Sequence, residues 1–407
     1  MRLRLATLLT LLALLGGACG SGDNAATTAT THGSDTGKGA QTIPIGVDAR
    51  TEGFASSWIH FFPHEVKAHP GDTLEFTSTF TGEPHTVAFG TLINEGLEAF
   101  AKVDKDHPGP PPPEVQTVLD KIPSVLEQAT GPDDALFVQA ASQPCYLADD
   151  EPPTKEACPK DSQKPPREIT GKERFLNSGF LPDQARASFK LADSMAPGDY
   201  TFMCLVHGPE MTEKVTVVDK ATAVPGTEQV KAEGRMHLDE FVAKVKAQAA
   251  KVQSSTAAAA PAGGRPEDRA IPSAGINVFP KEITVKPGEK VTWTVDGFHV
   301  IAFNAPEDAR PWLQFDDAGV LVGNKKSLLP AASPPIPDPP KPAAASQDGS
   351  PPLVPVDAGT WDGQGFHASG APFPDARLQY SLAFSKPGTY RYLCLVHPDM
   401  EGTVKVT

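Results

Sequence analysis

The chain has 407 residues, enough for two or three domains that each bury a hydrophobic core. Its formal net charge of -14 argues against a nucleic-acid partner, because such a partner would require a basic face. The 42 prolines and an aromatic content of only 7% favour strands and loops over long helices.

Residues 1–18 have the pattern of a signal peptide. Arg2 and Arg4 form a basic start, and residues 5–15 form an apolar run that is too short to span a bilayer comfortably. We therefore expect the chain to be exported.

Cys19 follows three small residues, as the lipidated cysteine does in a bacterial lipobox. Gly16 stands where that motif usually has leucine, so ordinary cleavage, with Cys19 discarded or free, is the alternative. A polar, flexible segment follows, which suits a tether between a membrane and a domain. Residues 19–42 are therefore expected to be a lipidated cysteine and its tether, attached to the outer face of the bacterial cytoplasmic membrane by the lipid alone.

An internal repeat occupies most of the remaining chain. Residues 62–72 match residues 279–289, and each segment ends in a Pro-Gly turn followed by alternating polar and apolar residues. This alternation predicts half-buried strands.

Later in each repeat, a second Pro-Gly turn and a strand lead to Cys204 or to Cys394, and a final strand closes the unit. Many short strands separated by turns indicate a mainly β fold with two Greek-key β-sandwiches.

Each repeat also brings a thiolate, an imidazole and a thioether into seven or eight residues. Soft sulfur with imidazole selects copper, and a Cys–His pair with a weak axial Met is the blue-copper arrangement, which needs a second His. A matching strand supplies that His in each repeat. The two candidate ligand sets are His85, Cys204, His207 and Met211, and His299, Cys394, His397 and Met400. Zinc is the alternative metal, but methionine is a poor zinc ligand.

Both units resemble cupredoxins, the blue-copper domains of the plastocyanin and amicyanin type. The spacing Cys394-x2-His397-x2-Met400 is similar to the amicyanin loop, and the first loop is one residue longer. The resemblance covers the strands of residues 43–220 and 271–407, but not the leader, the insertions or the segment between the domains. It implies one type 1 copper ion in each domain, two in the chain, and single-electron transfer without a substrate.

Leucine and valine precede the loop histidine in both repeats, as Leu205-Val206 and Leu395-Val396. In the family the edge of this histidine reaches the surface within an apolar patch, where partners dock and electrons leave. The resemblance therefore implies a docking surface for a redox protein partner, such as a cytochrome or a copper enzyme. The alternative is that these residues are simply the core of each loop.

The histidine pattern argues against an enzyme. Multicopper oxidases and copper nitrite reductases add His-x-His pairs to domains of this kind, but this chain has 11 histidines and no such pair. Neither Cys204 nor Cys394 has a neighbouring histidine. His60 and His64 could bind a metal only weakly, and we expect them to be solvated.

Long insertions separate the His strand from the Cys strand. In the first repeat, apolar residues at helical spacing predict helices over residues 93–103 and 115–126. Cys145 and Cys158 follow, and in an exported protein we expect a disulfide between them, worth about 3 kcal/mol, with a second metal site as the alternative. The second insertion, residues 329–355, is proline-rich and is expected to lie extended over the surface.

Residues 221–270 lie between the two domains. Apolar residues in 238–252 predict an amphipathic helix, and residues 254–266 have the Ala/Gly/Pro composition of a linker. We expect the domains either to move relative to each other or to be packed together by this helix.

Two other classes of function stand beside electron transfer. A copper-binding or copper-storage lipoprotein of copper homeostasis would capture the metal without using its redox chemistry, and an oxidase or reductase would have an unrecognised catalytic copper. Storage proteins usually have open Met- or His-rich tracts, whereas this chain has complete ligand sets and only 6 methionines. The sequence therefore favours electron transfer.

Overall fold

The computed structural model describes residues 39–51, 56–102, 112–119, 139–147, 168–253, 259–263, 273–275, 281–315, 317, 321–337, 352–372 and 377–407. The predicted signal peptide, Cys19, nearly all of the tether, and Cys158 lie outside these residues. Asp35–Thr407 forms one compact unit. Across the described ranges, no helix is both long enough and apolar enough to cross a membrane.

The fold is mainly β, which confirms the predicted class. The strands of the first half are β1 (Thr42–Val47), β2 (Ser56–Trp58), β3 (Phe61–Phe62), β4 (Glu65–Ala68), β5 (Thr73–Ser78), β6 (Ala88–Phe89), β7 (Cys145–Leu147), β8 (Glu168–Ile169), β9 (Phe175–Asn177), β10 (Arg186–Leu191), β11 (Gly198–Met203) and β12 (Thr212–Val217). The strands of the second half are β13 (Ala259–Gly263), β14 (Ser273–Gly275), β15 (Glu282–Val285), β16 (Lys290–Asp296), β17 (Ala302–Phe303), β18 (Leu313–Phe315), β19 (Leu321–Gly323), β20 (Leu353–Trp361), β21 (His367–Ala368), β22 (Arg377–Phe384), β23 (Gly388–Leu393) and β24 (Glu401–Val406).

The helices are α1 (Thr91–Phe100), α2 (Pro113–Leu119), α3 (Gln139–Ser142), α4 (Thr227–Gln253) and α5 (Lys325–Leu328). The predicted insertion helices correspond to α1 and α2. Pro113 begins α2, a position where proline is favoured because the first helical N–H has no partner within the helix. Helix α1 ends at Phe100, and Ala101 and Lys102 form a turn, so the first helix is shorter than predicted. Residue 103 and residues 120–126 lie outside the described residues.

Pro-Gly turns join β4 to β5 and β15 to β16, as the sequence predicts. Gly71 and Gly288 have φ angles of 97° and 83°, which a residue with a side chain rarely adopts. The Asp72 N–H donates to the His69 carbonyl oxygen (3.1 Å), which closes a turn with glycine at its third position. These turns fix where β5 and β16 begin. Alternate side chains of each strand then point into the core.

Each half contains two larger sheets. In the first half their strand orders are β3-β1-β5-β10-β8 and β4-β12-β11-β6-β9-β7. In the second half they are β13-β16-β22-β20 and β15-β24-β23-β17-β21. The order β4-β12-β11-β6-β9 therefore repeats as β15-β24-β23-β17-β21, and in both sheets the first pair is parallel and the next is antiparallel. This sheet positions the cysteine of each metal motif.

One hydrophobic core is shared between the halves. A single cluster of buried residues contains Met203 and Leu205 from the first half and Leu395 and Val396 from the second. A separate cluster, which includes Phe76 and the strands around it, fills the first half alone. The shared cluster joins the two repeats at the ends where their metal motifs lie.

The segment between the repeats is packed rather than free over its described residues. Helix α4 covers the first half, where Val245 lies in a buried cluster with Trp58 and Phe62. The strand β13 lies within the stretch expected to be a linker, and it pairs in parallel with β16. The strand β14 pairs with β2 of the first half. The Ala/Gly/Pro composition did not predict β13, because the strand pairs through backbone hydrogen bonds that do not depend on the side chains.

Candidate metal centres

The first centre forms where three separate pieces of chain meet. His85 lies between β5 and β6, Cys204 follows the last residue of β11, and Met211 precedes β12. A 3-10 turn, Gly208–Glu210, links the loop histidine to Met211. The Cys204 N–H donates to the Met211 carbonyl oxygen (3.0 Å), so the loop closes on itself and returns the chain to the sheet.

The donor atoms of this centre face one another. Cys204 Sγ lies 3.5 Å from Nδ1 of His207 and 3.9 Å from Nδ1 of His85. Cys204, His85 and Met211 are essentially excluded from solvent. The Thr86 N–H donates to Cys204 Sγ (3.4 Å), which holds the sulfur in place.

The second centre repeats this geometry. Cys394 Sγ lies 3.7 Å from Nδ1 of His397 and 4.0 Å from Nδ1 of His299. The Cys394 N–H donates to the Met400 carbonyl oxygen (2.8 Å), as in the first loop. Two backbone N–H groups, those of Val300 (3.4 Å) and His397 (3.5 Å), donate to this sulfur.

Both donor sets suit a copper ion. In a trigonal Cys-His-His site with bonds of about 2.0–2.3 Å, donor atoms lie about 3.5–3.8 Å apart, close to the distances found here. Each set of three donor atoms lies within 4.8 Å of one another. A methionine is buried at the closing end of each loop, where a weak axial ligand belongs. The structure therefore brings together the donor atoms of the cysteine and the two histidines proposed in each half, and it buries the proposed methionine in the same loop.

The histidines of each set lower the pKa of its cysteine. Burial raises the pKa of the Cys204 thiol, but His207 and His85 outweigh it and hold that pKa well below its ordinary value. The pKa of Cys394 is likewise lowered, because its two histidines outweigh burial. Each cysteine therefore gives up its proton more readily than an isolated buried thiol would, and the thiolate is the form that binds metals.

Asp48 is a buried partner of the first centre that the sequence analysis missed. Its Oδ2 lies 3.1 Å from Nε2 of His85, so the imidazole is oriented with Nδ1 towards Cys204. Asp48 has a φ of 61° at the end of β1, and its carboxylate also accepts hydrogen bonds from Trp58 N–H (2.8 Å) and Thr81 Oγ1 (2.5 Å). A buried acid in a left-handed conformation is held by these contacts.

The two strand histidines differ as a result. Burial lowers the pKa of both, but in His85 the hydrogen bonds to Asp48 and Cys204 outweigh burial, so its pKa is raised. In His299 burial and the nearby His397 dominate, and its pKa is lowered. Among the described residues, no carboxylate pairs with His299.

Glu83 is a second missed residue, and it contacts both centres. Its Oε1 lies 3.1 Å from Nε2 of His397, and its Oε2 lies 3.7 Å from Nε2 of His207. Burial raises the pKa of this carboxyl, but its contacts with His207 and His397 outweigh burial and hold that pKa well below its ordinary value. Glu83 aligns with Gly297 of the second repeat, whereas His85, two residues later, aligns with His299. An acid present in only one repeat beside a histidine present in both was the signal in the sequence that could have identified Glu83.

The loop histidines are covered, contrary to the surface patch that the family resemblance implies. The side chain of His397 is 1% exposed and that of His207 is 10% exposed. Leu205, Leu395 and Val396 are buried, and Val206 is half-buried. The physical reason is the contact between the repeats, which turns each loop towards the other half. The alternative interpretation, in which these residues are loop core, fits the structure.

The described cysteines are in two chemical states. Cys204 and Cys394 carry free thiols, and Cys145 is disulfide-bonded. Cys158, its predicted partner, lies outside the described residues, as does Cys19. The pairing of Cys145 with Cys158 and the lipidation of Cys19 stay predictions.

Several solved structures are similar to part of the chain. Amicyanin from Paracoccus versutus is 11% identical, with a TM-score of 0.19 over 44% of this chain and 81% of its own. Auracyanin A, a "blue" copper protein from Chloroflexus aurantiacus, is 16% identical, with a TM-score of 0.20 over 44% and 98%. Dithionite-reduced auracyanin from Roseiflexus castenholzii is 14% identical, with a TM-score of 0.21 over 44% and 98%.

No protein-family model and no curated protein matches this sequence. TM-scores this low assign neither a family nor an activity to the chain, so the assignment of a metal rests on the donor atoms themselves.

Proposed function

We propose that this chain is an electron-transfer protein with two type 1 copper centres, one in each repeat. The observation that carries the proposal is the pair of Cys-His-His sets, in each of which both imidazole Nδ1 atoms face a buried cysteine sulfur. A buried methionine follows later in each loop. Copper bound in such a set would supply a one-electron couple between its two oxidation states.

The residues of this chain would position the donor atoms and exclude water from them. Strands and closed loops fix the donor atoms, so that little rearranges when the charge at the centre changes. Asp48 holds His85 in a single orientation, and Glu83 does the same for His397. Burial keeps water from the thiolates.

We extend the proposal to the setting of the protein. The leader and Cys19 would place it in the cell envelope, bound to the outer face of the cytoplasmic membrane by lipid. Its partner would be a redox protein, and it would not act as an enzyme on a substrate. Replacement of Cys19 by alanine should release the chain from the membrane fraction; retention of that variant would contradict the anchor.

The function is tested on the copper-loaded full chain. We expect two coppers per chain and an intense thiolate-to-copper absorption at about 600 nm that bleaches reversibly on reduction. Cys204→Ser and Cys394→Ser should each retain one copper and lose one contribution to the band. A colourless or zinc-loaded protein would overturn the proposal, and stable Cu(I) that does not reoxidise would favour storage instead.

A further inference from the structure

A single carboxylate joins the two donor sets. Both histidines that contact Glu83 turn Nδ1 towards their own cysteine and Nε2 towards this carboxylate. From one sulfur to the other, the path therefore runs through two imidazole rings and one carboxylate. Its two gaps on either side of Glu83 are 3.1 and 3.7 Å.

The surrounding contacts fix this geometry across the halves. The Trp312 Nε1–H of the second half donates to the Gly82 carbonyl oxygen of the first (2.8 Å) in a buried hydrogen bond. A Cβ on Gly82 would lie 2.4 Å from Cδ2 of His397 and 2.8 Å from the Val396 carbonyl oxygen. The backbone next to Glu83 therefore rests directly on the second metal loop.

The same contacts block direct access of an outside redox protein to the ring edge of His397. His397 is 1% exposed at its side chain, so an outside protein cannot reach its ring edge without separating the halves. His207 is 10% exposed, and its Nε2 also faces Glu83. The Nε2 edges of both loop histidines, which point away from their own sulfurs, are therefore directed at Glu83.

We propose that the two centres exchange electrons within the chain and that Glu83 is the positioning residue that couples them. This inference rests on the proposed function. In the copper-loaded chain, one electron would pass from a Cu(I) ion held by one set to a Cu(II) ion held by the other, so the internal step would need no further oxidant, reductant or proton. An electron from a one-electron donor protein would then enter at one centre and be shared with the other.

The test follows a single electron in the copper-loaded full chain. Pulse radiolysis at less than one electron per chain reduces one centre, and the thiolate band reports its re-equilibration with the other. We expect a first-order phase whose rate does not depend on protein concentration. This phase should be missing in Cys204→Ser and in Cys394→Ser, which also give the spectrum of each centre alone.

Glu83→Ala should slow the first-order phase by an order of magnitude or more while both absorption bands keep their positions. Loss of the carboxylate removes the hydrogen bond to His397 (3.1 Å) and the longer ion-pair contact to His207 (3.7 Å). The wider gap that remains weakens tunnelling. Glu75→Gln is the matched control, because it removes a carboxylate that pairs with Arg186 on the first sheet, and its rate should equal that of the wild type. If Glu83→Ala disturbs the bands, Glu83→Gln, which keeps the volume, decides the question.

Proton exchange in the metal-free protein provides a second measurement, which does not depend on copper. The Nε2–H proton of His397 should exchange slowly with solvent in NMR spectra, and Glu83→Ala should accelerate that exchange. A re-equilibration that is only concentration-dependent, or a first-order rate unchanged in Glu83→Ala, would overturn the inference. Failure of the proposed function itself is recognised earlier, as a missing band or missing copper in the static spectrum.

Discussion

The Asp48 carboxylate lies 3.1 Å from Nε2 of His85, and both side chains are essentially excluded from solvent. A carboxylate on the far nitrogen makes an imidazole a stronger donor and stabilises the more highly charged metal. His299, at the matching position of the second half, has no such carboxylate among the described residues. Among the described residues, two backbone N–H groups donate to the Cys394 sulfur and one to the Cys204 sulfur. The additional hydrogen bond weakens electron donation from Cys394 to a metal.

We therefore predict a higher reduction potential at the second centre than at the first. Asp48→Asn should raise the potential of the first centre towards that of the second, because the remaining amide is uncharged. Spectroelectrochemical titration of Asp48→Asn in the Cys394→Ser background measures the first centre alone. Asp193→Asn, which removes an exposed carboxylate, is the matched control. An unchanged potential in Asp48→Asn would contradict this role.

The contact at Gly82 predicts that a substitution in the first half disturbs the second centre. Gly82→Ala places a Cβ against His397 and the Val396 carbonyl oxygen, and should lower the free energy of unfolding by about 1–3 kcal/mol more than a clash-free alanine. Urea denaturation measures the stability, and the absorption band of Cys204→Ser with and without Gly82→Ala measures the second centre.

Gly288→Ala is the control for Gly82→Ala. Gly288 also has a positive φ, 83°, but a Cβ there would meet nothing within 4 Å. It should therefore report backbone strain alone and leave both bands unchanged. Equal losses in the two variants would mean that the close approach to His397 does not matter.

The Trp312 hydrogen bond predicts the strength of the contact between the halves. Trp312→Phe leaves the buried Gly82 carbonyl oxygen without its donor, which should cost about 1–3 kcal/mol in the free energy of unfolding. It should also accelerate exchange of the His397 Nε2–H proton. Trp361→Phe removes a hydrogen bond of equal length (2.8 Å) to Gln364 within the second half, and should leave that exchange unchanged.

His60 predicts a loss of stability in mild acid. Burial, together with His64 and His237, lowers the pKa of His60 to about 3. The unfolded chain, with a histidine pKa of about 6.5, binds a proton that folded His60 does not, so the free energy of unfolding falls as pH drops from 6.5 towards 3. Between pH 7 and pH 5 the loss is about 2 kcal/mol from this group.

His60→Phe isolates that contribution, since phenylalanine keeps the ring contacts with Phe62 and Phe241 and removes the titration. The stability difference between variant and wild type, measured by urea denaturation, should shift by about 2 kcal/mol in favour of the variant from pH 7 to pH 5. Parallel curves for the two proteins would contradict the assignment. The expectation that His60 is a solvated strand-edge residue missed its packing against α4.

The local parts of each centre were readable from the sequence. Cys394, His397 and Met400 lie within one loop. Pro-Gly turns followed by alternating polar and apolar residues predicted the strands of the sheet that holds them. These features depend on spacing along the chain, which an internal repeat makes visible. For the same reason the mainly β class and the presence of α1 and α2 were predictable.

The contacts that distinguish the two centres were not readable. Asp48 and His85 meet through the fold of the first half, and Glu83 meets His397 only because the halves pack against each other. Such packing depends on the summed shape of two surfaces, not on any local pattern. The family resemblance even pointed the other way for His397, since it implied a ring edge at the protein surface.

The shared hydrophobic core determines how this chain can be divided. A fragment that ends after β12 would lack all the second-half residues of this cluster, and a fragment that starts at β15 would lack all its first-half residues. Uncovered apolar patches of this kind favour self-association. Either repeat produced alone should therefore dimerise or aggregate, and a single centre is better isolated by silencing one cysteine in the full-length protein.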